Sequence, residues 1–333
     1  MADVTVHSPE GASPAPPSAD AERRSDVAGF LRDNGVYLAL ALLVLGNLLF
    51  ASNFATGANL RTQLVQVAPV LIVALGMTLV IGTEGIDLSV GSVMALAAAI
   101  IPLWLGLGPG PAILIALLVG AAAGAFNGAL VAYVGVQPIV ATLALFVAGR
   151  GLALVLADGQ LKQIENEGFL SLGTSEVAGI PILVVIAAAL TLLVLFIARR
   201  TTFGRHVVAV GGNPTASFLA GLPVRRTLMA VYVISGVLAA VAGVLATARL
   251  TASDPSAIGQ LIELSAITAV VVGGTPLTGG RVRVIGTVAG ALLVQLIDST
   301  LIRNDVPDSL SQIIQALLII AAVAVQRRAG AAR

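Results

Sequence analysis

The chain lacks the residue sets on which the common catalytic centres are built. It has no cysteine among its 333 residues, which excludes disulfides, thiol catalysis and cysteine metal sites. Its two histidines, His7 and His206, are too far apart for a metal-ligand spacing. The motifs GxxxxGKS/T, GxSxG and HExxH are also absent. We therefore expect no enzymatic activity and no cofactor or metal bound to this chain.

Charged residues are scarce as well. They make up 11% of the chain, against 57% hydrophobic residues and a mean hydropathy of +1.00. A soluble domain of this length could not bury so much apolar surface and still present a charged coat to water. The composition therefore predicts an all-α polytopic membrane protein surrounded by lipid.

Ten apolar runs of roughly 20 residues, separated by short breaks, predict about ten transmembrane helices. The predicted spans are Gly35–Ala51, Gln63–Gly82, Leu88–Leu107, Pro111–Val134, Pro138–Ala157, Ile180–Ala198, Thr227–Ala248, Gln260–Gly274, Val284–Ile302 and Leu310–Val325. Pro69 and Gly76 favour a kink or a break in the second span. The chain is thus divided into a disordered cytosolic tail (1–34), a membrane domain (35–326) and a short cytosolic C-terminal tail (327–333).

The basic residues predict the orientation. With ten spans and a cytosolic N-terminus, thirteen of the 18 basic residues lie in cytosolic segments and four in external ones, with Arg150 inside the fifth span. An external N-terminus would reverse this distribution and violate the positive-inside rule. We therefore expect both termini in the cytosol.

The cytosolic loop Arg199–Arg226 contains the stretch GGNPTASFLAGL. Asn213 can cap a short helix there, with Pro214 at its first position and Gly221 at its end, which gives about two turns. The apolar pair in this helix would be exposed. An exposed apolar pair on a short cytosolic helix suggests a surface for a partner.

Two stretches form a weak internal repeat, which chance resemblance explains nearly as well. GIDLSVGSVMAL and GRVRVIGTVAGAL share the spacing of two glycines, and each follows a Gly-Thr pair, Gly82-Thr83 and Gly274-Thr275. Both lie on the cytosolic side in the predicted topology. A duplicated half is therefore one interpretation.

Polar side chains along the spans are the candidates for lining a passage. They are Glu84, Asp87, Asn127, Gln137, Thr142, Gln295, Asp298, Gln312 and Gln315. Such groups could bind a neutral polyol, but hydrogen bonds between helices explain most of them equally well. The spans contain no series of acids and histidines that would indicate proton coupling.

Three charged residues have structural interpretations beside the functional one. Asp87, or its neighbour Ser89, can cap the third helix, whereas the role of Glu84 stays open. Arg150 is expected to form a structural ion pair with an acid such as Asp298. The alternatives for Arg150 are a position at the external surface or a polar contact beside the passage.

Four stretches of the chain resemble, in order, the permease subunits of ABC importers for simple sugars, in the ribose, xylose and galactofuranose branch. These stretches are TEGIDLSVGSVMAL, QPIVATLALFVAGRGLALVLADGQ, FGRHVVAVGGNPTASFLAGL and AVVVGGTPLTGGRVRVIGTVAGAL. The resemblance covers about 35–326 and is strongest to the galactofuranose-type permease, through VATLALFVAGRG and LIELSAITAVVVGG. The family usually has a small residue at the position of Glu84 and glycine near Arg283.

The resemblance implies a ten-helix subunit in the bacterial cytoplasmic (inner) membrane that translocates a pentose or furanose such as ribose or galactofuranose. It implies a second permease, identical or homologous, an external sugar-binding protein and a cytosolic ATPase subunit that holds ATP and magnesium. No nucleic acid partner is expected. By the same resemblance the cytosolic helix couples to the ATPase through Asn213, Pro214, Ala216, Phe218, Ala220 and Gly221.

Two other functions compete with this interpretation. An ion-coupled secondary transporter would need intramembrane acids or broken helices at a midplane site, which only the region of Pro69 and 84–87 hints at. An ABC permease for another small solute, such as a branched-chain amino acid, would share most of the same pattern. A membrane enzyme is remote, because no nucleophile–base pair or metal set is present.

Overall fold

The computed structural model describes residues 19–320 apart from 308, 311, 315 and 319, and describes side chains from residue 34 onward. This part of the chain is almost entirely helical, which confirms the predicted fold class. The helices are α1 (Ala19–Phe50), α2 (Gly57–Gly82), α3 (Val90–Trp104), α4 (Pro109–Ala129), α5 (Pro138–Leu156), α6 (Glu167–Thr174), α7 (Ile182–Arg200), α8 (Thr202–Gly212), α9 (Pro214–Leu219), α10 (Val224–Leu250), α11 (Ile262–Val272) and α12 (Val284–Arg303).

Seven of the described helices are long and apolar enough to cross a membrane. They are α2, α3 with the 3-10 turn Leu105–Leu107, α4 with the π-helical turn Leu130–Val134, α5, α7, α10 and α12. Each matches a predicted span with its ends shifted by a few residues. The apolar part of α1, Asn34–Phe50, matches the predicted first span with a shift of one residue. Of the predicted tenth span, Leu310–Val325, the structure describes eight of the 16 residues, and all eight are helical.

The predicted eighth span, Gln260–Gly274, was wrong as a full span. Only α11 is helical there, and its 11 residues extend about 16 Å, half of a hydrocarbon core of about 30 Å. The preceding residues, 251–261, form a non-helical segment in which Gly259 and Leu261 have positive φ values of 73° and 56°. We call it the re-entrant segment. Hydropathy alone did not reveal the break, because the residues on both sides of it are apolar.

Two further expectations for the first helices differ from the structure. Helix α1 begins at Ala19, inside the tail predicted to be disordered, and the stretch ADAERRSD is rich in residues with good helix propensity. Helix α2 is continuous through Pro69, with no break at Gly76. The helices packed around α2 leave its buried half no room to open. Residues 1–18 and the predicted C-terminal tail lie outside the described residues.

Small residues let the central helices pack at very short distance. A Cβ placed on Gly120 of α4 would lie 2.6 Å from the carbonyl oxygen of Gly236 in α10, and one on Gly124 would lie 2.3 Å from that of Tyr232. Only glycine fits such contacts. Close packing of this kind holds the helices together, because in lipid no hydrophobic effect drives helices to associate. The stretch GAAAGAFNGAL in α4 therefore serves close packing against α10.

Contacts between loops agree with the predicted alternation of sides. At the external end, Arg61 pairs with Glu176, and Arg303 donates a hydrogen bond of 2.7 Å to Asn59. Strand β1 (Lys162–Gln163) pairs with β4 (Ala252–Ser253) at that end, beside the separate pair of β2 (Glu176–Val177) with β3 (Ile180–Pro181). Segments assigned to one side of the membrane thus meet one another.

Candidate functional site

The short cytosolic helix α9 has the geometry that its sequence predicts. The side-chain oxygen of Asn213 accepts a hydrogen bond of 2.8 Å from the backbone amide of Ala216, and Pro214 occupies the first turn. Gly221 ends the helix with a φ of 77°. Phe218 is 67% exposed, and Leu219 and Ala220 beside it are exposed too. The helix is confirmed, while its contact with an ATPase stays a prediction.

Helix α8, which the sequence reasoning missed, fixes α9 to the membrane domain. A Cβ on Gly211, near the end of α8, would lie 1.9 Å from the carbonyl oxygen of Gly82 and 2.6 Å from the amide nitrogen of Gly280. That amide donates a hydrogen bond of 3.1 Å to Gly82. We call these three residues the glycine junction. It joins the end of α8, the end of α2 and the loop between α11 and α12.

Asp87 lies at the centre of a buried polar cluster. Its carboxylate accepts hydrogen bonds from the amide and the hydroxyl of Ser89 at 3.0 and 2.6 Å, and from the hydroxyl of Ser235 at 2.7 Å. The amide nitrogen of Asn127 donates to the Ser89 hydroxyl at 2.8 Å. The Asp87 carboxylate thus holds Ser89, the residue just before α3 begins at Val90, rather than an amide of the helix, and Ser89 makes no side-chain cap, so the predicted capping by either residue was wrong. Burial raises the pKa of Asp87, and the hydrogen bonds from Ser89 and Ser235 oppose that shift.

Thr142 joins the same region by donating a hydrogen bond of 3.1 Å to the carbonyl oxygen of Ile86. Asp87, Asn127 and Thr142 are all buried, so none of them faces an open passage in this structure. The side-chain oxygen of Asn127 and the hydroxyl of Tyr232 are buried without a hydrogen-bond partner among the described residues. The cluster holds the loop 83–89 inside the bundle.

The other residues predicted to line a passage are not brought to one place. Glu84 is exposed at the cytosolic end of α2 with a φ of 64°, and Gln137 is exposed just before α5. Gln295 donates a hydrogen bond of 2.9 Å to Gln66, between α12 and α2. Asp298 is half-buried in α12, and Gln312 is exposed. Gln315 lies outside the described residues.

Arg150 of α5 holds the re-entrant segment. Its guanidinium donates hydrogen bonds to the carbonyl oxygens of Pro255 at 2.6 Å, Ile258 at 2.7 Å and Gly259 at 3.1 Å. The predicted pairing with Asp298 was wrong, because carbonyls of the loop between α10 and α11 occupy the guanidinium. A planar group with five donors can satisfy several carbonyls that a helix would otherwise pair internally.

The acid that acts electrostatically on Arg150 is Glu263, in the first turn of α11. Its side chain is buried, and its Oε2 accepts no hydrogen bond from the described residues. That oxygen packs against Gly91, where a Cβ would lie 2.5 Å from it. Arg150 thus supplies the opposite charge that a buried carboxylate requires.

The re-entrant segment descends from the external surface into the bundle. The hydroxyl of Ser253, in β4, donates a hydrogen bond of 2.7 Å to the carbonyl oxygen of Ala98 in α3. Further along, a Cβ on Gly259 would lie 2.4 Å from the carbonyl oxygen of Gly91. Between them Asp254 accepts hydrogen bonds from the amide and the hydroxyl of Ser256. Sequence reasoning missed this segment, although Asp-Pro followed by Gly inside an apolar stretch is a turn signal.

Comparisons with known proteins show the family to which the chain belongs. Residues 59–323 match the family described as "Branched-chain amino acid transport system / permease component". The fructose import permease protein FruF of Bifidobacterium longum is 44% identical over 73% of this chain and 70% of its own length. The galactofuranose transporter permease protein YtfT of Escherichia coli is 39% identical, over 78% and 77%, respectively. The ribose import permease protein RbsC of Bacillus subtilis is 35% identical, over 93% and 97%.

No solved structure matches the chain significantly. Among the described residues, no group of three or more acids and histidines could hold a metal ion. The family is a transport component, which indicates that the chain is not an enzyme. A component also implies further subunits of the same transport system. The chain is a polytopic membrane protein that belongs to the branched-chain amino acid transport system / permease component family.

Proposed function

We propose that this chain is the permease subunit of an ABC importer that translocates a simple sugar, a pentose or furanose, across the bacterial cytoplasmic membrane. The observation that carries the proposal is that relatives at 35–44% identity over most of the chain are named for fructose, galactofuranose and ribose. In this proposal ATP and magnesium belong to a separate ATPase subunit, and this chain binds neither.

The mechanism follows from the exposed helix α9. An external sugar-binding protein delivers the sugar to the outer face of a pair of permeases, which are identical or homologous. ATP binding closes the ATPase subunits and moves α9, which carries Phe218 and Leu219 on its surface. The glycine junction passes that movement to α2 and to the loop before α12. The permease itself needs only weak affinity, because the binding protein captures the sugar.

The cargo is tested by uptake into vesicles that contain the complete transporter. This chain is purified from mild detergent with the ATPase that accompanies it, reconstituted with the binding protein, and supplied with labelled ribose, fructose or leucine. ATP-dependent accumulation of a sugar supports the proposal. The family description favours a second candidate, import of a branched-chain amino acid, and accumulation of leucine without any sugar would establish that candidate instead.

The coupling role of α9 is tested by Phe218→Asp, with Phe218→Leu as the matched control. Phe218 makes little contact within the chain, so neither change should alter folding or insertion. A charge on an apolar interface is costly to desolvate, whereas leucine keeps the surface apolar. We expect the aspartate variant to lose ATP-driven uptake and its association with the ATPase, while the leucine variant keeps both. Equal uptake by the two variants would contradict the assignment.

A further inference from the structure

The tip of the re-entrant segment lies near the middle of the membrane. Gly259 contacts Arg150, which is about 18 Å from the cytosolic start of α5 and about 9 Å from its external end. Glu263, just beyond the segment, lies about 14 Å above the cytosolic end of α11. Both measures place Gln260 near the midplane of a hydrocarbon core of about 30 Å.

One side of the segment is packed against protein and the other is open. Pro255 and Ile258 are buried on the inner side, where their carbonyl oxygens accept hydrogen bonds from Arg150. Ser256 and Gln260 are exposed on the outer side. Non-helical backbone and uncompensated polar groups do not face lipid at this depth, and they occur only against protein or a water-filled cavity.

We propose that the outer side of the re-entrant segment lines the aqueous passage of the transporter, with Asp254, Ser256 and Gln260 contacting the hydroxyl groups of the sugar in transit. This inference rests on the proposed function. The second permease closes the far side of the passage. Arg150 is a positioning residue, because it acts on the passage through the backbone of the segment.

The open groups have the chemistry that a polyol needs. Asp254 accepts hydrogen bonds from Ser256 through Oδ1, and its side chain is only partly buried, so the carboxylate remains accessible to a ligand. The amide of Gln260 has no hydrogen-bond partner among them either, so it offers both donors and an acceptor. A carboxylate and an amide can bind neighbouring hydroxyl groups of a sugar. Because only one of the two groups is charged, their contacts with the sugar remain weak enough for it to be released.

The test exploits the absence of cysteine from the chain, since each introduced cysteine is the only thiol of this subunit. Gln260→Cys and Ser256→Cys are compared with Leu192→Cys, an exposed residue of α7 at similar depth on a fully helical, apolar surface. The complete transporter in vesicles is treated with a positively charged methanethiosulfonate, which reacts with thiols in water. We expect the first two cysteines to react at least tenfold faster than the third, and modification to abolish uptake.

Slower labelling in the presence of sugar tests this proposal separately from the proposed function. The wild-type uptake assay decides whether a sugar is the cargo. With that cargo present during turnover, labelling of Gln260→Cys should slow at least threefold, while labelling at an external control, Leu161→Cys, should not change. Labelling of Gln260→Cys as slow as that of Leu192→Cys would overturn the aqueous lining. Fast labelling without protection by a transported sugar would overturn the contact with cargo.

Discussion

The glycine junction gives the sharpest prediction, because two adjacent glycines of α8 have opposite surroundings. A Cβ on Gly211 would lie 1.9 Å from the carbonyl oxygen of Gly82, whereas the nearest atom to a Cβ on Gly212 is 4.0 Å away. Ordinary contacts begin at about 3.4 Å, so Gly211→Ala must push two backbone segments apart by more than 1 Å. The atoms that the new methyl group would meet belong to the backbone, so they cannot move aside by a change of rotamer as a side chain could.

The cost of Gly211→Ala follows from these distances. Overpacking costs about 1–3 kcal/mol, and loss of the hydrogen bond between Gly280 and Gly82 adds about 1 kcal/mol or more. The gain in helix propensity returns at most about 1 kcal/mol, so the net destabilisation is about 1–3 kcal/mol. Gly212→Ala receives the same propensity gain without the clash and should be neutral or slightly stabilising.

Thermal unfolding of the purified variants in detergent measures the difference. We expect Gly211→Ala to melt several degrees below wild type and Gly212→Ala at or slightly above it. Uptake per transporter should fall for Gly211→Ala because α8 no longer fits against α2. Equal melting temperatures for the two variants would refute the close approach of these three segments.

Three other substitutions test individual contacts. Arg150→Lys should lower the melting temperature, because one ammonium group cannot replace the guanidinium at three carbonyl oxygens. Each carbonyl left buried without a hydrogen bond costs about 1–3 kcal/mol. An unchanged melting temperature would contradict these hydrogen bonds. Asn213→Ala should cost about 1 kcal/mol of helix stability and speed amide exchange in α9, whereas Asn213→Ser should retain most of the protection. Glu84→Gly should raise the melting temperature slightly, because a φ of 64° suits glycine, whereas Glu84→Ala should not.

Much of the fold could be predicted from the sequence, since long apolar runs specify membrane helices almost by themselves. The ends of α2, α5 and α12 fall close to the predicted boundaries. The cap at Asn213 was predictable too, because capping depends on a few neighbouring residues. Expectations that required knowledge of distant partners fared worse: Arg150 was assigned to Asp298, but its guanidinium binds backbone carbonyls, and the acid that acts on it is Glu263.

The polar residues illustrate the same limit. Asp87, Asn127 and Thr142 were recognised as unusual for membrane spans, and the structure brings them to one region. Their burial decides against an open passage there, and burial is a tertiary property that one sequence does not show. Ser256 drew no notice because it fell in a presumed external loop, and Gln260 drew none because it stood at the external end of a predicted span, where polar residues are ordinary. Only the depth of that loop makes them notable.

The helices that precede the two stretches of the weak internal repeat end in the same way, which leaves the repeat itself a prediction. Helix α2 ends with a hydrogen bond from Gly85 to Val80, and α11 ends with one from Thr275 to Val270. The residues with positive φ are Glu84 and Gly274, so these two are equivalent, rather than Gly82 and Gly274. This helix ending requires a residue in the left-handed backbone conformation. Gly274 adopts that conformation without strain after α11, whereas Glu84 adopts it with strain after α2.

The contacts also connect the cytosolic helix with the middle of the membrane through backbone alone. Helix α8 meets α2 at Gly211 and Gly82, and the loop 83–89 leads from there to Gly91 at the start of α3, which packs against Gly259 of the re-entrant segment. Each of these contacts joins glycines with no side chain between them, so a shift at one must displace the next instead of being absorbed by a rotamer change. If the chain works as proposed, with its energy source in another subunit, these stiff contacts are where movement of α9 would reach the passage.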